Sequence, residues 1–169
     1  MVLKIINATE DNDLKDLISF AVNTGLRQME LIMLEWNQVD LNQNVLLLDN
    51  QNAVTKSKKV RNIPLNKSAR EILEKRNNQS NCGRVFTYKS VPINPDFLSK
   101  KFKKLVEKAE INSDFNFHCL RHTFASWLVQ KGVSIYEVSK LLGHADIKTT
   151  QIYAHLRNED LRNAVEKLD

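Results

Sequence analysis

Apolar residues Leu14, Leu17, Ile18 and Ala21 recur at three- and four-residue steps, which predicts a helix from Asp11 to Asn23 with Gly25 as its stop. MELIMLEW (residues 29–36) carries a second helical pattern. The pattern then changes. NVLLLD and KVRNIPL are short, branched and apolar, and the polar NQNAVTKSK between them reads as a turn, so a small antiparallel hairpin is expected. NKSAREILEKR returns to helical spacing, RVFTY offers a third strand, and Pro95 is expected early in the helix that continues through DFLSKKFKKLVEKA. Helices dominate the rest. HCLRHTFASWLVQK should end at Gly132, and Ser134 with Glu137 three residues on forms a capping box for IYEVSKLL, which Gly143 closes. Two short helices should follow, one bearing Tyr153 and one spanning NEDLRNAVEKL. The expected fold class is mainly α with a small antiparallel β-sheet (α+β).

The chain has 169 residues, 42% of them hydrophobic, enough for a single domain with a real core. No apolar run approaches the ~18 residues of a membrane helix, and MVLKIINATEDNDLK lacks the pattern of a signal peptide. A cytoplasmic protein without membrane contact is expected. Cys82 and Cys119 form no paired motif and read as reduced thiols, with neither disulfide nor metal.

Charge changes the picture through its distribution. Residues 1–50 hold three Lys or Arg against eight Asp or Glu, residues 51–110 hold fifteen against five, and the remainder holds seven against seven. The middle segment therefore carries +10 of a net +5, offset by −5 before it. Its clusters are Lys56, Lys58, Lys59 and Arg61 in TKSKKVR, and Lys100, Lys104 and Lys108 at four-residue spacing on one helix face. Such a surface suits a polyanion, because each cation that neutralises a phosphate releases counterions.

Several polar residues fit poorly with simple packing. Arg27 stands at the turn into an apolar helix with Glu30 three residues later, a pairing that is usually structural. His118 and Arg121 present an imidazole and a guanidinium together amid Phe117, Leu120, Phe124 and Trp127. His144 follows a helix-closing glycine, and Tyr153 lies nine residues on; each alone is explained by packing. Taken together, two arginines, two histidines, a hairpin lysine and a tyrosine suit the cleavage of a phosphodiester. Guanidinium forks match phosphate oxygens, imidazoles move protons near neutral pH, and a tyrosine supplies a nucleophile.

TGLRQMELIMLEW, TKSKKVRNIPL, HCLRHTFASWL and LLGHADIKTTQIYAHL, in this order and spacing, resemble the catalytic domain of the tyrosine recombinases, the phage integrase family. The resemblance covers residues 9–157 and implies a site-specific recombinase or integrase that cleaves and rejoins DNA through a covalent 3′-phosphotyrosine, without metal or other cofactor. It implies that Arg27, Lys56, His118, Arg121 and His144 surround the scissile phosphate and that Tyr153 attacks it. Lys56 is expected to protonate the leaving 5′ oxygen, with Lys58 or Lys59 as the substitute. His118 is expected to take the nucleophile's proton, His144 to hydrogen-bond a phosphate oxygen, and Glu30 to orient Arg27. His122 and His155 are expected to pack or hydrogen-bond. Double-stranded DNA is the implied partner, bound by Lys58, Lys59, Arg61, Lys100, Lys104 and Lys108, with a monomer when free and a homotetramer on DNA. Residues 1–169 would be one catalytic domain, and Leu161, Ala164, Val165 and Leu168 within residues 158–169 the apolar stripe of a C-terminal helix exchanged between protomers.

Complete members of that family place a helical core-binding domain first, and the 26 residues before Arg27 leave no room for one, so it is expected to be absent. Relatives include phage integrases, chromosome-dimer resolvases, inversion switches and transposon enzymes, among which these motifs do not choose. A type IB topoisomerase uses a similar catalytic set, but the L-G-H and LRHTFA wording favours a recombinase. A non-catalytic DNA-binding or assembly module would have no need of the complete set. A zinc hydrolase would use His118 and His122 as ligands with His144 as a third, but it needs a glutamate beside the first of them, where Cys119 stands.

Overall fold

The computed structural model describes residues 1–48, 61–77 and 83–157. The chain divides into two compact units, Met1–Phe124 and Ala125–Asp169.

The first unit opens with α1 (Val2–Ala8), which the sequence pattern did not announce: a seven-residue helix burying only Val2 and Ile5. In α2 (Asn12–Thr24) the Asp11 side chain accepts the Leu14 N–H, and Gly25 ends the helix at φ +65°, a left-handed cap that favours glycine. The predicted stripe Leu14, Leu17, Ile18 and Ala21 is buried there, along with Phe20 and Val22. The next helix is shorter than expected. α3 (Gln28–Ile32) stops before MELIMLEW is complete, and a 3-10 turn, Trp36–Gln38, follows. The cause is long-range pairing. The Trp36 N–H donates to the Gly83 carbonyl and the Val85 N–H to the Leu34 carbonyl, with a bridge between Glu35 and Arg84, so the chain leaves the helix and is extended at Glu35 despite its helical periodicity.

The hairpin is present, with one more strand than foreseen. β1 (Val39–Asp40), β2 (Val45–Leu48) and β3 (Arg61–Pro64) form an antiparallel sheet in that order, with Leu48 opposite Arg61 and Val45 opposite Pro64. RVFTY does not extend this sheet. After α4 (Lys67–Asn77), its residues β4 (Thr87–Tyr88) pair with β5 (Val91–Pro92) across Lys89 and Ser90, both at positive φ, as a two-residue hairpin turn requires. α5 (Pro95–Lys108) starts on an Asn94 cap with proline in its first turn, as expected.

α2 packs on α4, and α1 and α3 both pack on α5, around Phe20, Phe86, Phe102, Leu31 and Leu73. Each large side chain buried in this way stabilises the fold by roughly 1.5–3 kcal/mol. Arg76 is buried in the same unit without an orphaned charge: its Nε donates to the Val85 carbonyl at 3.0 Å, and its Nη1 is 3.1 Å from Asp13 and 3.5 Å from Asp16. The boundary between the units falls within α6 (Cys119–Gln130).

The second unit is built from local caps. α7 (Ile135–Leu142) begins with the reciprocal box: the Ser134 Oγ accepts the Glu137 N–H, and Glu137 Oε2 accepts the Ser134 N–H and hydroxyl. Gly143 at φ +66° ends it. Two 3-10 helices, Ile147–Thr149 and Gln151–Leu156, pack against α7, the first capped by Asp146. Among the described residues no helix is long and apolar enough to cross a membrane. The fold is mainly α with small antiparallel sheets.

Candidate active site

In the first unit two of the predicted residues, Arg27 and Arg61, meet on the Glu30 carboxylate. Arg27 caps α3, and Glu30 Oε2 accepts the Arg27 backbone N–H at 2.8 Å while Oε1 accepts from Arg27 Nη1 at 2.9 Å. Glu30 Oε2 also accepts from Arg61 Nη2 at 2.8 Å. Burial pushes the Glu30 carboxyl up, but the Arg61 charge and the hydrogen bonds from Arg27 and Arg61 outweigh it, so it stays ionised below the ordinary carboxylate range. The Arg27 side chain itself is about half exposed, even with its guanidinium on Glu30.

Arg121 on α6 is buried, and its Nη1 donates to the Gly25 carbonyl at 2.8 Å. Gly25 is therefore fixed twice over. Its positive φ aims this carbonyl, and a Cβ there would collide with the Phe124 ring. His118 sits in the turn just before α6, and its carbonyl accepts the Arg121 and His122 N–H groups as the helix starts. Its ring meets that of His122 edge to face at 4.8 Å. Partial desolvation and the neighbouring His122, Arg121 and Arg27 charges hold the His118 pKa below its ordinary value. Burial and Arg121 do the same for His122. Both imidazoles are thus neutral near pH 7, and His118 can accept a proton.

In the second unit, the His144 N–H donates to the Ser139 carbonyl, continuing the C-cap of α7, and His144 Nδ1 lies 2.8 Å from the Thr150 Oγ1. Thr150 is fully buried, and its carbonyl accepts the Tyr153 N–H at 3.1 Å as the second 3-10 helix begins. The Tyr153 side chain is buried, while His155 on the same turn is exposed.

Of the expected DNA-contacting cations, Lys100, Lys104 and Lys108 are exposed along α5, away from buried Leu98, Phe102 and Val106, and Lys108 pairs with Glu10 at 3.2 Å. Arg61, by contrast, is largely buried, its guanidinium on Glu30. Strand alternation carries the signal for that: in VRNIPL, Arg61 shares a face with buried Ile63, and Asn62 and Pro64 point outward. Thr150 was also missed, because a threonine in a short polar turn looks the same whether or not it holds a histidine. Lys56, Lys58, Lys59, Cys82 and residues 158–169 lie outside the described residues. Cys119 is a half-buried free thiol.

A helical chain with two small sheets that carries the arginines and the His118–His122 pair in its first unit, and His144 and Tyr153 in its second, invites comparison with known proteins. The family model described as the phage integrase family matches residues 2–160, and the chain belongs to that family. It is 35% identical over 162 residues to "Tyrosine recombinase XerA" of Saccharolobus solfataricus, covering 96% of this chain and 52% of the relative. To "Integrase" of Salmonella phage P22 it is 33% identical, covering 92% of this chain and 42% of the other. Among solved structures, the catalytic domain of bacteriophage HP1 integrase superposes with a TM-score of 0.75 at 28% identity, covering 98% of this chain and 89% of that one. The chain spans about half the length of the curated relatives it matches.

Proposed function

We propose that this chain is the catalytic domain of a tyrosine-type site-specific DNA recombinase, acting by transesterification through a covalent 3′-phosphotyrosine. The observation that carries the reading is the Arg27–Glu30 and His118/Arg121 grouping in a member of the phage integrase family that also retains His144 and Tyr153. In the proposed reaction the Tyr153 oxygen forms a bond to phosphorus, the bond from phosphorus to the 5′ oxygen breaks, and a 5′-hydroxyl leaves. Neutral His118 takes the phenolic proton, and Lys56 supplies one to the leaving oxygen. Arg27 and Arg121 stabilise charge on the non-bridging oxygens, with His144 donating a further hydrogen bond. The bond energy is kept in the phosphotyrosine for rejoining.

The proposed partner is double-stranded DNA, held in part by the exposed Lys100, Lys104 and Lys108, with a monomer in solution and a homotetramer on two duplexes, linked by residues 158–169. Neutralising the three lysines should flatten the salt dependence of duplex affinity, by up to about one unit of log–log slope for each phosphate deprived of its cation. The direct test incubates the protein with a pool of nicked suicide duplexes and looks for a covalent adduct whose DNA-bearing peptide contains Tyr153. An adduct at another residue, or none at any salt concentration, would overturn the proposal.

A further inference from the structure

We infer that Thr150 is a positioning residue that fixes His144 in the tautomer with its hydrogen on Nε2. Thr150 is fully buried, and its hydroxyl lies 2.8 Å from His144 Nδ1. Among the described residues the hydroxyl has no other hydrogen-bond partner; the backbone N–H of Thr150 is already engaged with the carbonyls of Ile147 and Lys148.

A buried hydroxyl whose proton has one acceptor within reach donates to it, because the alternative leaves that O–H unsatisfied away from water. Nδ1 is then the acceptor. In a neutral imidazole only one ring nitrogen carries hydrogen, so it resides on Nε2, which makes that edge a donor. The opposite tautomer would turn an acceptor toward an anionic phosphate oxygen and repel it. Thr150 also accepts the Tyr153 N–H through its carbonyl. One residue thus sets the donor edge of His144 and starts the turn that carries the tyrosine.

The functional consequence rests on the recombinase reading above, but the tautomer does not. In the 169-residue protein with 15N-labelled histidine, long-range proton–nitrogen correlation near pH 7.5 should report His144 Nδ1 as unprotonated and Nε2 as protonated. Thr150→Val keeps the shape and removes the hydroxyl. It should mix the tautomers and lower adduct formation on nicked duplex by about 10-fold, the rate equivalent of roughly one hydrogen bond. Thr150→Ser should keep both at the original level. A protonated Nδ1 in the unmodified protein overturns the inference whether or not Thr150→Val folds, as does a Thr150→Ser protein that loses the tautomer. Failure of the unmodified protein to form any adduct would instead count against the recombinase reading, leaving the tautomer to be decided by the spectrum alone.

Discussion

The Arg27–Glu30–Arg61 group and the His144–Thr150–Tyr153 group are held by different physics. The first is assembled by charge from residues far apart in sequence: Glu30 on α3 reaches Arg61 on β3, and Arg121 on α6 reaches back to the Gly25 carbonyl. The second is assembled within a short local stretch by hydrogen bonds and caps, from the αL residue Gly143 to the buried Thr150. In the proposed reaction, charge that is to meet a phosphate would be kept ionised and aimed by a carboxylate, and a nucleophile that has only to be presented would need a turn of fixed shape. The two groups should therefore fail differently when perturbed.

The largest expected difference is in chemistry. Tyr153→Phe removes only the phenolic oxygen and should abolish the covalent adduct while leaving the unfolding midpoint and duplex affinity nearly unchanged, as adduct gels and thermal melts would report. Next comes Gly25→Ala, which strikes the charged group through the backbone. A left-handed alanine costs about 1–2 kcal/mol, and the clash with Phe124 adds overpacking of about 1–3 kcal/mol, so a loss of about 2–5 kcal/mol in denaturant unfolding is expected. A loss under about 0.5 kcal/mol would mean that the cap is not strained. Glu30→Gln is milder. It keeps the shape but not the charge that two arginines share, and should cost about 1–2 kcal/mol and slow cleavage by about 10-fold.

The smallest expected effect is on pH dependence. His118 and His122 have folded pKa values below their ordinary 6.5, so the unfolded chain binds protons more readily, and stability should decline as pH falls below about 6.5. Glu30, lowered from 4.5, contributes stability present above that value and lost as pH falls through its folded pKa. Glu30→Gln should erase the second decline and spare the first. Identical acid limbs in melts of both proteins would detach Glu30 from the charged group.

The same contrast decides what the sequence made legible. Features fixed by near neighbours were readable: the α2 stripe with Gly25, the Ser134–Glu137 box, and the hairpin flanking the segment with Lys56. Features fixed by distant pairing were not. MELIMLEW has helical periodicity, yet residues 83–85 pull its second half into extended pairing, and RVFTY joins a sheet of its own because its partner strand follows at once across a two-residue turn. In the site, the Arg27–Glu30 pair was visible as an i, i+3 spacing. The share that Arg61 takes in Glu30 crosses 31 positions and leaves only the weak trace of strand alternation.

The central claim is that the arginines act through charge on the phosphate and Tyr153 through its oxygen. The most direct measurement compares adduct formation on a duplex with a normal scissile phosphate and on one with a neutral methylphosphonate there, for Arg27→Ala and Tyr153→Phe. Arg27→Ala should be impaired on the phosphate and regain adduct on the methylphosphonate, where less charge needs to be balanced, and Tyr153→Phe should form none on either. An Arg27→Ala protein equally impaired on both, or an adduct from Tyr153→Phe, would contradict the account.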